Sequence, residues 1–147
     1  MKNRNVFGIV SIFACSCGTS YAQESLQKYD VAGIERILRA DGYSAVERLE
    51  DNLLLLRLNG SGYGIFVDDD GDLQGYYGLS GGNESLETIN KWNATKRFSS
   101  AYLDDDGDPI LKADLDATNG LTEDQIEAFV RLFIQSAGAF RDHLAAN

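Results

Sequence analysis

The residues best suited to chemistry are the carboxylates of two acidic segments, 68–72 and 104–108, each of which reads Asp-Asp-Asp-Gly-Asp. Several carboxylate oxygens on one tight loop are the ligands that Ca²⁺ prefers. The twelfth residue of a calcium loop should be Glu, but it is Tyr77 for the first segment and Ala113 for the second. A glycine-containing hairpin turn explains both segments without a metal. The sequence therefore predicts no metal site and no cofactor.

The remaining catalytic inventory is small. His143 is the single imidazole, and it falls in the last turn of a predicted helix, where a cation complements the helix dipole. A catalytic triad would need Ser and Asp brought to that helix end. Carboxylates are plentiful, so a small hydrolase using a carboxylate pair is the alternative from another functional class. No residue pattern names a reaction, and we predict no catalytic residues and no enzyme activity.

A polar cluster flanks the single tryptophan. Asn90, Asn93 and Arg97 surround Trp92 near the end of a predicted helix. Two amides and a guanidinium at this place can either satisfy backbone groups across the helix-to-strand junction or contact a partner. Trp92 itself is most simply explained by core packing. Asn90, Trp92, Asn93 and Arg97 are the candidate binding residues.

The charge of the chain excludes two classes of partner. Thirteen basic and 23 acidic residues in 147 give a formal net charge of −10. Nucleic-acid binding draws its affinity from an excess of Lys and Arg that this chain lacks. Anionic membrane surfaces are disfavoured for the same reason. The length and the 44% apolar content predict one small domain with a real core.

Residues 1–22 have the pattern of a secretory signal peptide. Two basic residues precede the apolar run 6–18, and Ala22 ends a small-residue cleavage site. Cleavage there would remove both cysteines, so thiol chemistry would be excluded from the mature chain. A lipoprotein anchored through Cys15 is the second alternative. The pattern predicts export, most simply to the periplasm, and no membrane-spanning segment follows.

The rest of the chain predicts one α+β domain over residues 30–147, preceded by a polar lead-in at 23–29. Helical spacing or alternation of apolar residues gives the order α-β-β-β-β-α-β-β-α, with helices packed on an antiparallel sheet of five to six strands. The apolar run 53–56 favours a central strand that is covered on both faces. The predicted helices begin after Asp30, after Ser85 or Asn83, and after the Thr122 capping box. The predicted strands are 43–50, 53–58, 63–68, 73–79, 98–104 and 109–116.

Three blocks resemble the YbjN family of bacterial sensory-transduction-regulator-like domains. They are IERILRADGY at 34–43, INKWN at 89–93 followed by Arg97 and Phe98, and AYLDDDGDP at 101–109. The resemblance covers essentially the whole chain after the predicted signal. It implies a fold similar to type III secretion chaperones and a noncatalytic role in binding or regulation, and it brings no catalytic residues.

Together these patterns predict an exported, noncatalytic binding or adaptor domain. Its expected partner is a protein or peptide, and a homodimer is an alternative assembly. The expected mode of recognition is pairing with an exposed strand edge, with apolar pockets for alternate side chains of the partner.

Overall fold

The computed structural model describes residues 26–81 and 84–146. The signal peptide expected at 1–22 therefore lies outside the described residues. Within the described ranges, three helices and six strands follow one another in the order α-β-β-β-β-α-β-β-α, as the sequence predicts. The elements are α1 Val31–Ala40, β1 Val46–Glu50, β2 Leu53–Leu58, β3 Ser61–Val67, β4 Leu73–Gly78, α2 Leu86–Thr95, β5 Ser100–Leu103, β6 Pro109–Leu115 and α3 Glu123–Ala145.

The six strands form a single antiparallel sheet in the order β1-β2-β3-β4-β6-β5. The first four strands are an unbroken meander, because short turns join each strand to its neighbour. The chain then leaves the sheet through α2 and returns as the β5-β6 hairpin, whose second strand pairs with β4. The prediction of an α+β fold with a mainly sequential antiparallel sheet is confirmed.

Local sequence signals set the helix boundaries. Asp30 caps α1, since its carboxylate accepts a hydrogen bond from the Gly33 N–H at 2.8 Å. Thr122 and Gln125 form the expected capping box at the start of α3, in which each side chain accepts from the backbone N–H of the other residue. Ser85, rather than Asn83, caps α2 through the Thr88 N–H.

The main core lies between one face of the sheet and the helices. Leu54, Leu56 and Ile65 point from this face and are fully buried, and α3 brings Phe133 and Phe140 against it. Gly75 leaves the room that the Phe133 ring occupies, because a Cβ at this glycine would lie only 2.6 Å from Phe133 Cγ. We refer to this side of the sheet as the helix face and to the other side as the open face.

The expectation that residues 53–56 are covered on both faces is wrong. Leu54 and Leu56 are buried on the helix face, whereas Leu53 and Leu55 are half-buried on the open face. The apolar run arises because β2 contributes leucines to the core and also to a surface that none of the three helices described above covers. Several expected strands are also too long at their ends: β1 begins at Val46 instead of Tyr43, and β5 begins at Ser100 instead of Phe98.

The described part of the lead-in is docked on the domain. Gln27 forms an isolated antiparallel bridge with Leu121, with N–H to O distances of 3.0 and 2.8 Å. Tyr29 is buried in the main core. Gly120 has a positive φ of 82° and lies directly under the Gln27 backbone, where a Cβ would be 2.8 Å from the Gln27 nitrogen. In the described ranges, none of the helices has both the length and the apolar character needed to cross a bilayer.

Candidate functional site

Asn93 lies at the outer edge of the sheet and mimics a neighbouring strand. Its amide nitrogen donates to the Ala101 carbonyl at 2.9 Å, and its amide oxygen accepts from the Ala101 N–H at 2.8 Å. One side chain therefore satisfies both outward backbone groups of Ala101 on β5. Asn93 thus satisfies backbone groups across the helix-to-strand junction, which is one of the two roles that the sequence leaves open for it.

Trp92 is a core residue. Its side chain is almost completely buried and makes an edge-to-face contact with Phe140, with ring centroids 5.1 Å apart. The His143 ring is 5.6 Å away, and its Nε2 lies 2.9 Å from the Thr88 carbonyl oxygen. His143 thus joins α3 to α2 at the end of the helical layer.

Three of the four candidate residues, Asn90, Asn93 and Arg97, are exposed, whereas Trp92 is buried. Asn90 is exposed on α2. The Arg97 guanidinium stacks on the Phe98 ring at 4.8 Å from its centroid. Phe98 is 65% exposed and has a positive φ of 64°, which is rare for a large side chain. Its ring lines an apolar hollow of about 320 Å³ beside Phe129 and Leu132 of α3.

The two acidic segments are hairpin turns with the same hydrogen bonds. In the first, the Gly71 N–H donates to the Asp68 carbonyl and the Asp68 N–H to the Asp72 carbonyl. The second repeats both bonds with Gly107, Asp104 and Asp108. Each glycine has a positive φ, as this turn requires. Within residues 26–81 and 84–146, no three His, Cys, Asp or Glu side chains are arranged to hold a metal ion.

The acidic side chains stabilise these turns from within. Asp104 Oδ1 accepts from the N–H groups of Asp106 and Asp108 at 3.0 and 2.8 Å. Asp108 Oδ1 accepts from the Gly81 N–H at 2.9 Å and so joins the turn to the segment that follows β4. These bonds fix the two carboxylates beside the open face of the sheet.

A groove of about 400 Å³ runs along the open face, and we call it the trench. Its floor is formed by Gly62 and Gly64 of β3 together with Gly78 of β4. Gly64 pairs with Leu55 on one side and with Tyr76 on the other, so these two side chains stand as opposite walls. Further apolar side chains extend the walls and close one end, and they are Leu49, Leu53, Phe66, Leu79 and Ile110.

The mouth of the trench is acidic. Asp104 and Asp108 line it at the end where Gly78 pairs with Ile110. The pKa of Tyr76 is raised above its ordinary value, first by burial and then by Tyr102 and these two carboxylates. The trench therefore combines apolar walls with negative charge at one end.

The patterns used above do not predict the trench, although the sequence carries a signal for it. Gly62 and Gly64 alternate with Tyr63 and Ile65 in β3, which places two glycines on the same face of one strand. A glycine inside a strand often marks a close approach of another backbone or of a ligand. The alternation shows that these glycines share a face, but which face lacks a helix is set only by tertiary packing.

Both edges of the sheet have side chains on their backbone groups. Asn93 occupies the β5 edge, as described above. At β1, the Arg39 guanidinium donates to the carbonyls of Val46 and of Ser44, which precedes the strand. The Arg48 guanidinium donates to the carbonyls of Glu50 and of Asp51, which follows the strand. Backbone groups that already accept or donate these hydrogen bonds are less available to pair with a further strand. The open face, by contrast, carries an apolar groove.

The comparison with family models decides what kind of protein this is. The model of the YbjN family, described as "Putative bacterial sensory transduction regulator", matches residues 30–146. The chain belongs to the YbjN family. No curated protein matches the chain.

Two solved structures share this YbjN fold. The crystal structure of YbjN from E. coli superposes with a TM-score of 0.69 at 20% identity, covering 84% of this chain and 95% of that one. The Yersinia pestis type III secretion chaperone SycH, solved in complex with a fragment of YscM2, gives a TM-score of 0.51 at 15% identity. That match covers 73% of this chain and 95% of SycH. The expected similarity to type III secretion chaperones is confirmed for the fold.

Proposed function

We propose that this YbjN domain is a noncatalytic adaptor that is exported to the periplasm and recognises a protein or peptide partner. The observation that carries the proposal is the open face of the sheet, where leucines of β2 and aromatic residues of β3 and β4 surround a groove that none of the described helices covers. Apolar surface of this kind is typical of a site for another macromolecule. The YbjN family description and a fold shared with a chaperone that was solved holding a protein fragment support a binding role.

The geometry favours binding over hydrolysis. A carboxylate hydrolase should hold two acidic side chains in one concave pocket, with the pKa of one of them raised. Asp104 and Asp108 line the same groove, but their Oδ1 atoms accept backbone N–H bonds that stabilise a turn. Carboxylates held by these bonds stabilise the turn and place negative charge beside the groove.

The test of the binding role is capture of envelope proteins from the source bacterium on the immobilised protein. The matched variants are Leu53→Ser with Leu55→Ser on the open face, and Leu132→Ser, which changes an exposed leucine on α3. We expect the wild type and Leu132→Ser to retain the same partner and the open-face variant to lose it, with circular dichroism showing that all three fold. Turnover of a substrate that disappears when one carboxylate is changed would favour the hydrolase instead.

Export has its own test. We expect protein made in its natural host to begin at Gln23, because cleavage after Ala22 follows the charged start and the apolar run. Intact mass of the purified protein measures this directly. Retention of Met1, or a lipid on Cys15, would contradict cleavage at this site.

A further inference from the structure

Two glycines of the trench floor, Gly62 and Gly64, have only flexible side-chain ends or ordinary contacts around them. A Cβ at Gly64 would lie 3.4 Å from Leu53 Cδ1, and one at Gly62 would lie 3.2 Å from Leu55 Cδ1, which are the flexible ends of side chains on an open surface. At Gly75, on the helix face, three ring atoms of Phe133 lie within 2.8 Å of the same position. Gly75 thus makes room for the core, whereas Gly62 and Gly64 leave room for something outside the domain.

Keeping glycines here costs stability. A glycine inside a strand destabilises it by roughly 0.5–1 kcal/mol relative to alanine, because the unfolded chain gains freedom. Gly62, Gly64 and Gly78 carry this cost, and the phi angles of all three lie outside the left-handed region that favours glycine. A molecule that lies close to the floor would offset the loss when it binds.

The dimensions of the trench suit an extended polypeptide. Its walls rise from β2 and β4, the two neighbours of β3, so their backbones are about 9.5 Å apart. One row of side chains fits between such walls. Gly62 and Gly64 are two residues apart on one strand, or about 6.7 Å, which is also the spacing of side chains i and i+2 in an extended partner. Two successive inward side chains of one segment could therefore stand above these two glycines.

The charge at the mouth selects the partner's chemistry. Asp104 and Asp108 are fixed beside the trench by the turn hydrogen bonds, and they would repel a fatty acid or another anion. Arg57 and Lys112 also lie on the open face, but neither lines the trench. Arg57 is 3.9 Å from the Glu47 carboxylate, and Lys112 Nζ lies over the rings of Tyr76 and Tyr102. The mouth is therefore complementary to a cation.

We propose that the trench binds an extended segment of another protein, with apolar side chains at alternate positions above Gly62 and Gly64 and a Lys or Arg beside Asp104 and Asp108. This inference rests on the proposed function and names the surface and the partner's chemistry. Walls of Leu55 and Tyr76 supply the apolar contacts, and the acidic turn sets the direction in which the segment lies.

The test is selection of a displayed library of random ten-residue peptides on the protein purified from its host. We expect enrichment of segments with apolar residues at i and i+2 followed by Lys or Arg. A selected peptide should bind Gly64→Val at least tenfold more weakly, because the valine fills the floor. Gly64→Ala should give a smaller loss, and Gly138→Ala on α3, where no heavy atom lies within 4 Å of the added Cβ, should bind as the wild type does.

The charge is tested by Asp108→Asn, which removes the charge but keeps an oxygen for the Gly81 N–H. We expect this variant to bind the selected peptide about two- to fivefold more weakly, as for an exposed ion pair, and high salt to weaken the wild type by a similar factor. Circular dichroism of every variant separates loss of binding from loss of fold.

Four results would overturn the inference: no enriched peptide, an acidic consensus, binding that Gly64→Val retains, or a wild-type dimer that dissociates in Gly64→Val. The last result would assign the open face to a second copy of the chain. An envelope partner that Gly64→Val still captures would reject the trench and leave the proposed function standing. If neither peptide nor envelope protein binds, both proposals fail.

Discussion

Replacing Gly75 by alanine is the sharpest test of the packing that separates the two faces of the sheet. Gly75 pairs with Ile65 in the centre of the sheet, and the Phe133 ring lies directly over it. The new Cβ would be 2.6, 2.7 and 2.8 Å from Cγ, Cδ1 and Cδ2 of that ring. Carbon atoms in contact prefer about 3.5–4.0 Å, so the ring or the strand must move by about 1 Å.

The expected cost follows from that displacement. Overpacking of a core typically costs about 1–3 kcal/mol, and Phe133 is only 1% exposed and so cannot move into solvent. The change from glycine to alanine also raises the free energy of unfolding by about 0.4–1 kcal/mol, because alanine restricts the unfolded chain. We therefore expect Gly75→Ala to lower the free energy of unfolding by about 2 kcal/mol, which combines the upper part of the first range with the second.

Gly64→Ala is the matched control, because Gly64 lies on the adjacent strand and faces the other side of the sheet. Apart from the neighbouring residues in the chain, the atom nearest to its Cβ would be Leu53 Cδ1, at 3.4 Å. The substitution therefore adds no clash, and its only effect on stability is the smaller conformational entropy of the unfolded chain. We expect this variant to be as stable as the wild type or more stable by up to about 1 kcal/mol. Urea unfolding followed by the fluorescence of the single tryptophan, Trp92, measures both variants.

A second substitution tests the cause of the loss. Phe133→Leu removes the ring, so adding it to Gly75→Ala should cost less than the sum of the two single changes, with a coupling energy of at least about 1 kcal/mol. The reasoning is refuted if Gly75→Ala lies within about 0.5 kcal/mol of the wild type, or if Gly64→Ala destabilises as much as Gly75→Ala.

Two further predictions concern the sheet edge and the loop before α3. Asn93→Ala removes both hydrogen bonds to Ala101 and should lower the free energy of unfolding by about 1–3 kcal/mol in the same urea assay. A loss below about 0.5 kcal/mol would mean that the amide does not stabilise the β5 edge. The pKa of Asp116 is below its ordinary value because the Thr118 hydroxyl and N–H donate to the carboxylate. The Asp116 carboxylate therefore stabilises the fold above the pKa of the unfolded chain, and this stabilisation is lost as the pH falls through the lowered pKa of the folded state. Thr118→Val should raise that pKa in an NMR titration, and an unchanged pKa would contradict the assignment.

Much of the fold could be read from short-range signals. The Asp30 cap and the Thr122–Gln125 box fix the starts of two helices because donor and acceptor are three residues apart, so the sequence alone specifies both partners. The acidic turns are equally local, since the hydrogen bonds that close each turn join residues three or four apart. Element order follows from these boundaries and from hydrophobic periodicity.

The candidate site was harder to predict because its residues are distant in sequence. The sequence shows Asn93 as a polar residue near a helix end, but its partner on β5 is identified only in the folded chain. The opposite walls at Leu55 and Tyr76 come together because both flank Gly64 in the sheet. No pattern within either strand states that pairing.

The sequence by itself determined which residues of each strand share a face, because side chains alternate along any extended chain. It could not determine which of the two faces the helices would cover. That choice depends on the packing of α1 and α3 against one face of the sheet, where Gly75 admits Phe133. Once the helices occupy that face, Leu54 and Leu56 become core while Leu53 and Leu55, in the same run of leucines, are left to form the wall of the trench.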